Sequence, residues 1–499
     1  MSAQHPYHTD DTAFAVRAPE LIERLRAALP EHALVIEEAE RRAYESDGLS
    51  AFRQLPLVVA IPESEDQVQA VLAIAHELGV PVVARGSGTS LSGGALPHPQ
   101  GVLLSMARFN RILELDPERR LARVQPGVRN LAISEAAAPH GLYYAPDPSS
   151  QIACSIGGNI AENAGGVHCL KYGLTVHNVL EVKLATIEGE IVTVGSRALD
   201  APGYDLLALV HGSEGMLGVI LEATVRLLPE PLTKQVLLAS FDSAGTAGDA
   251  VAALIAAGIV PAGLEMMDGP AIQAAEDFVH AGYPVDAAAI LICELDGGAE
   301  EVRADTQRVE ALLREHGARE VRIARDAEEG ARFWAGRKAA FPAAGRIAPD
   351  YYCMDGTIPR RHLGEVLTRI ADMGREHGLG VVNVFHAGDG NLHPLILYDG
   401  NRPGELEQAE AFGARILELC VEKGGTITGE HGVGVEKIDQ MCIQFGDAER
   451  ATFFAVKHVF DPPGLLNPGK AIPTLNRCAE FGAMHVHQGQ LSHPELERF

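Results

Sequence analysis

Apolar and polar positions alternate with different periods along the chain, and each period predicts its own element. Leu21, Ile22, Leu25 and Leu29 recur at helical spacing in a charged opening stretch, so residues 1–54 read as a helical segment. Residues 57–61 (LVVAI) are an unbroken apolar run, the mark of a buried strand. Ser64 with Gln67 three positions later forms a capping box, and its helix runs to about Leu78, where Gly79 ends it. Residues 80–84 (VPVVA) form the next strand, completing a βαβ unit that runs into a glycine-rich loop. Further strands are predicted at 101–105, 121–125, 179–187 and 217–227. Pro229 and Pro231 then mark a boundary. Beyond it, strands at 235–241 and 288–295 alternate with alanine-rich helices, an α+β pattern, and 404–423 is again helical. Pro and Gly punctuate 461–475, which reads as loop. The expected divisions are 1–54, 55–230, 231–460 and 461–499.

Composition narrows what these stretches serve. A chain of 499 residues exceeds one ordinary core. Its 41 Lys and Arg against 67 Asp and Glu give a net charge of −26. That balance tells against a nucleic-acid partner, and it means that an anionic substrate needs cations placed locally. The seven cysteines show no C-x-x-C spacing, so neither a zinc ribbon nor iron–sulfur ligation is predicted, and no disulfide framework is read from them. With no basic-then-apolar leader and no run of 18 apolar residues, a cytoplasmic chain without a membrane span is expected.

Three glycine-rich segments carry the first chemical signal. Arg85, Gly86, Ser87, Gly88, Thr89 and Ser90, followed by Gly93 and Gly94, leave backbone N–H groups open to cradle a pyrophosphate. Leu91 stands where a dinucleotide fingerprint needs its third glycine, and no G-K-[ST] ending makes it a P-loop. The second segment runs from Ala145 to Gly166, with Pro146, Asp147, Ser149, Ile152, Gly157, Gly158, Asn159, Ala161 and Asn163 inside it. Small residues over that length let a planar ligand lie against backbone; a tight glycine crossing is the plain alternative. The third is Gly212–Gly218, with Gly215, ahead of a strand beginning at Val219 and Ile220.

The second half holds the reactive side chains. Apolar runs flank Asp389-Gly390, a strong two-residue hairpin signal that would set His386 opposite His393, about 5 Å apart. That separation suits two ligands of one metal ion, against the plain reading of two solvated histidines. Glu430-His431 lies between glycines and offers a third ligand and a base, but neighbours in an extended chain point to opposite faces, so a bend is required. Arg337, near the only tryptophan, is suited to gripping a carboxylate with two parallel bonds.

RGSGTSLSG, PDPSS…SIGGNIAENAGG and GSEGMLGVI, in this order, resemble the FAD domain of the vanillyl-alcohol-oxidase/para-cresol-methylhydroxylase (VAO/PCMH) superfamily. The resemblance implies an α+β protein: a PCMH-type FAD-binding domain plus an α+β substrate (cap) domain with an antiparallel sheet, the C-terminal segment returning to the FAD domain. It implies non-covalent FAD, with residues 85–90 at the pyrophosphate, 146–166 along the flavin, and Gly215, Val219, Ile220 and Asn467 in contact. H-x-G-D-G-N-x-H and G-E-H-G resemble the FAD-linked 2-hydroxy-acid dehydrogenases, a likeness running through FWAGRKAAFPAAGRIAPDYYCMDGTIPRR to NPGKAIPTLNRCAEFGAMHVHQG. That family implies a divalent metal such as zinc on His386, His393 and Glu430, His431 as base and Arg337 on the substrate carboxylate. Relatives acting on 2-hydroxyglutarate carry Lys-Tyr-Asp where Cys353-Met354-Asp355 stands, so a short monocarboxylate such as glycolate or D-lactate is expected. Glycolate-oxidising members further imply a second flavin-type subunit and an iron–sulfur subunit, at the inner face of a membrane. The rival readings are a metal-dependent hydrolase built on His386, His393 and Glu430, and a subunit holding FAD for structure alone.

Overall fold

The computed structural model describes residues 18–198 and 203–473. β1 (Leu34–Val35), β2 (Val58–Ala60), β3 (Val82–Arg85) and β4 (Val102–Ser105) form a sheet in the order β1-β2-β4-β3. β2, β4 and β3 run parallel, and the helix Glu65–Leu78 makes the crossover from β2 to β3. Ser64 accepts the Gln67 amide at its start, and Gly79 closes it at φ +64°, a left-handed cap suited to glycine. Val68, Val71, Leu72 and Ala75 on its inner stripe pack with Leu21 and Leu25 of the helix Ala18–Ala28. Ser64→Ala is expected to lower unfolding free energy by about 1 kcal/mol, read as a lower urea midpoint with an unchanged slope.

Next come β5 (Ile112–Asp116), β6 (Leu121–Val124), β7 (Leu142–Tyr143), β8 (Val179–Ala185), β9 (Ile191–Gly195), β10 (Val219–Arg226) and β11 (Leu228–Pro229). β7 and β11 pair with each other; the rest form an antiparallel sheet in the order β5-β6-β10-β8-β9. The chain returns to the first sheet near its end, where Leu466 bridges Val82 and joins that core with Leu465.

β12 (Thr233–Phe241), β13 (Gly263–Asp268), β14 (Ala289–Gly297), β15 (Glu320–Ile323), β16 (Asp350–Cys353), β17 (Gly380–His386) and β18 (Pro394–Tyr398) make one antiparallel sheet, ordered β15-β12-β14-β13-β17-β18-β16. Both faces are buried. Leu237, Ala239, Phe241, Leu264 and Met266 point to one side, under the helices Ala244–Ala256, Leu363–His377 and Glu405–Glu422. Val236, Leu238, Met267, Val382, Val384 and Leu395 point to the other, under the helices Gly269–Val279 and Ala327–Ala344.

Two expectations are corrected. The two-residue hairpin at Asp389-Gly390 does not form: β17 ends at His386 and β18 begins at Pro394, with Val382 paired to Leu395 and His386 bridged to Asn391. Segment 356–358 takes the connecting backbone instead, because Ile358 N–H donates to Gly390 and Leu392 N–H to Gly356. No disulfide framework is expected from the cysteines, and one of them, Cys442, is nonetheless disulfide-bonded; Cys154, Cys169, Cys293, Cys353 and Cys420 are buried free thiols. Residues 1–17 of the expected helical segment, and the stretch 474–499 with Cys478, lie outside the described residues. Among the described residues no helix is long and apolar enough to cross a membrane.

Candidate active site

Strand parity gathers the reactive groups. Glu265 on β13 lies directly opposite His386 on β17, and both share the face of Met267 and Val384. The actual register is two residues from the expected one. A two-residue shift preserves the face, so His393 becomes a diagonal rather than a direct neighbour of His386. Their ring centroids are 5.1 Å apart. The covering helix Ala327–Ala344 presents Phe333, Arg337, Ala340 and Ala344 along one stripe, which places Arg337 over the same spot. Arg337 is buried, not on a solvated helix face. Its Nε donates to Glu265 Oε2 at 2.7 Å, while Nη2 is buried without a partner.

The bend at Glu430-His431 is made by two carboxylates. Asp355 accepts backbone N–H bonds from Gly429, Glu430 and His431, and the Thr428 hydroxyl. Glu214 accepts from Val433 and Gly434, both at 2.7 Å. A Cβ on Gly434, at φ +52°, would lie 2.1 Å from the Ser92 carbonyl oxygen, so glycine is required there. Glu430 and His431 consequently serve one site. Glu430 Oε1 lies 3.2 Å from His386 Nε2 and 3.1 Å from His393 Nε2, and the His431 ring stacks on His393 at 4.9 Å.

Electrostatics set the protonation states. Burial raises a carboxyl, yet facing His386 and His393 hold Glu430 well below its usual value. Burial would lower His386, but Glu265 and Glu430 outweigh it and raise it. His431 is pushed down to about 4, chiefly by burial, with Asp355 opposing. His386 thus bridges two carboxylates, Nδ1 to Glu265 and Nε2 to Glu430, and a cation that displaced the Nε2 proton would meet that nitrogen and the Glu430 oxygen together. His393 Nε2 makes no hydrogen bond despite its 3.1 Å approach. Two imidazole nitrogens and one oxygen thus converge within 4.8 Å, the donor set and spacing of a divalent-metal site with an open position.

These groups meet a cavity of about 400 Å³. Its walls include Arg85, Gly86, Ser87, Gly88, Thr89, Ser90, Gly94, Ser149, Gly157, Gly158, Asn159, Ala161, Gly215, Val219 and Ile220 on one side, and Arg337, His393, Glu430 and His431 on the other. A Cβ on Gly86 would meet Ser155 Oγ at 2.1 Å, and that hydroxyl is itself buried without a partner, a donor waiting for a ligand. Arg85 also donates to the Ser46 carbonyl at 2.7 Å.

Gly93, Pro146, Asp147, Ile152, Asn163, Gly166, Asn467 and His386 do not line this cavity. Ile152 is 66% exposed. Asp147 bonds His168, with Gly166 packed on its backbone; the Asn163 side chain accepts the Val176 N–H; and Asn467 donates to the carbonyls of Gly94 and Glu214. Cys353 is also absent from the wall, whereas Lys338 belongs to it. Sequence reasoning missed Glu265, Asp355 as loop anchor, Glu214, and Glu162, a wall residue whose Oε2 is buried and unpartnered. Glu214 and Glu162 lay inside glycine motifs read for their glycines. Glu265 had one signal, a charge in the apolar strand GLEMMD.

A family profile described as "FAD binding domain" matches residues 56–195, and one described as "FAD linked oxidases, C-terminal domain" matches 230–471. The glycolate oxidase subunit GlcD of Escherichia coli (strain K12) is 65% identical over 475 residues, 95% of each chain. The chain belongs to the FAD-linked oxidases. Another relative of this FAD-linked oxidase, GlcD of Bacillus subtilis (strain 168), is 40% identical over 87% of this chain and 92% of its own. A structure of p-cresol methylhydroxylase with substrate bound matches with a TM-score of 0.78 at 16% identity, over 92% of this chain and 97% of that one. The fold is therefore α+β of the VAO/PCMH type, as expected, and the FAD-linked oxidase is an FAD-dependent oxidoreductase.

Proposed function

We propose that this FAD-linked oxidase converts glycolate to glyoxylate, and D-lactate to pyruvate as an alternative. The carrying observation is the convergence of the glycine loops with Arg337, His393, Glu430 and His431 in one cavity; the 65% identical relative is named a glycolate oxidase subunit. Non-covalent FAD held along the glycine loops would supply the two-electron acceptor for the Cα hydride. A divalent cation such as zinc, held by His386, His393 and Glu430, would lower the hydroxyl pKa. Arg337 grips the substrate carboxylate through the Nη edge that Glu265 leaves free. His431, neutral at pH 7, accepts the hydroxyl proton as the C–H bond breaks. The proton ends on the imidazole, both electrons leave with the hydride, and a carbonyl remains.

The reading includes onward transfer to a second flavin-type subunit and an iron–sulfur subunit, with the protein cytoplasmic at the inner face of a membrane. The relatives' designation as a subunit supports it. The proposed division is 1–54, 55–230, 231–460 and 461–499; the profile bounds at 56 and 230 support its first two boundaries.

An anaerobic absorbance spectrum tests the chemistry. Glycolate is expected to bleach the flavin bands, and D-lactate more slowly. Lys338 on the wall makes 2-hydroxyglutarate the informative control, expected to be slow. Bands that no hydroxy acid bleaches would indicate a structural flavin; a protein that takes up no FAD would return the metal hydrolase.

A further inference from the structure

We infer that Glu265 is a positioning residue that sets both the metal ligand His386 and the carboxylate clamp Arg337, so that the two arms of the site are aligned by one side chain. The inference rests on the roles proposed above for those two residues. The Glu265 carboxylate divides its oxygens: Oε1 lies 2.6 Å from His386 Nδ1, and Oε2 accepts Arg337 Nε at 2.7 Å. Glu265, Arg337 and His386 are all buried, so water cannot substitute for any of these bonds.

Each bond has a separate consequence. Holding Nδ1 fixes the tautomer and ring plane of His386, leaving Nε2 directed at Glu430. Holding Nε turns the guanidinium so that its Nη edge, rather than its Nε side, is left for a carboxylate. Both lines of force start from one strand position, because Glu265 and His386 are direct cross-strand partners and Arg337 descends from the helix above them. A residue serving only to neutralise Arg337 would not need its second oxygen on the imidazole.

The test uses the FAD-loaded full chain, with zinc affinity measured by chelator competition and glycolate kinetics by flavin reduction. Gln at 265 keeps the shape but cannot accept from Arg337 Nε while also accepting from His386. Glu265→Gln is therefore expected to weaken zinc roughly 10–100-fold, and to raise KM for glycolate proportionally more than it lowers kcat. FAD content should not change. Arg337→Lys, which touches no proposed ligand, is expected to weaken zinc several-fold through Glu265, and this variant keeps the inference testable if Glu265→Gln fails to fold. Folded Glu265→Gln and Arg337→Lys proteins with wild-type zinc affinity would overturn the inference alone. Wild-type protein that binds no zinc, with turnover indifferent to chelation, would overturn the metal reading and the inference with it.

Discussion

Asp355→Asn is expected to lower stability by about 3–5 kcal/mol, the range for breaking a buried ion pair, and to abolish flavin reduction by glycolate. Asp355 is fully buried against Lys437 at 3.1 Å. Burial would raise its carboxyl, but Lys437 first, then His431 and His393, hold it well below the ordinary value, so the group is charged. Asparagine matches its shape yet points an NH₂ at a ring of donors. Lys437 then loses the nearer of its two carboxylates and keeps only Glu436 at 3.5 Å, and some of the Gly429, Glu430 and His431 amides lose their acceptor. Since the folded carboxyl is depressed, its contribution is complete above the unfolded value of 3.8 and fades as pH falls below it. Urea titration at neutral pH therefore reads the full loss. A variant that unfolds at the wild-type midpoint and still bleaches with glycolate would show that the 428–434 loop is held some other way.

That prediction marks where the sequence stops being informative. The βαβ unit and its glycine loop were legible because the signals are local: Ser64, Gln67 and Gly79 cap one helix within a few residues. The histidine pair was legible for a subtler reason. The turn was misjudged, yet the error was an even number of residues, and the period of two kept His386 and His393 on one face. The bend at Glu430 was not legible, because its cause lies 75 residues away at Asp355 and, for Val433, 219 residues away at Glu214. Nothing in G-E-H-G states that a remote carboxylate will collect its amides. The same applies to the orientation of the residues expected along FAD. A motif gives composition but not which way each residue faces, so Ile152 turns outward and Asn467 is spent on backbone carbonyls. Glu265 is intermediate: an acid in the middle of a strand whose other acid, Asp268, stands at its end announces a buried partner without naming it.

His431→Gln is expected to lower the rate of flavin reduction by roughly 10²–10⁴-fold, the usual contribution of a general base, while FAD and zinc remain bound. Glutamine occupies similar space but cannot take a proton. The ring it replaces stacks on His393 with an interplanar angle of 8°, and its Nδ1 is buried and unpartnered, so the base is held in place without being consumed by a protein hydrogen bond. Burial keeps it near 4 against the partial opposition of Asp355. A base must be neutral to act, so activity resting on His431 should be lost only as pH falls through about 4, and kcat/KM should stay level across the range where an ordinary histidine titrates. The two measurements separate the possibilities. A wild-type acid limb near the ordinary imidazole value that disappears in His431→Gln would keep the base and correct its environment. Unchanged reduction kinetics in the variant would remove His431 from the chemistry and leave proton acceptance to another group on the cavity wall, with Glu162 the first to examine.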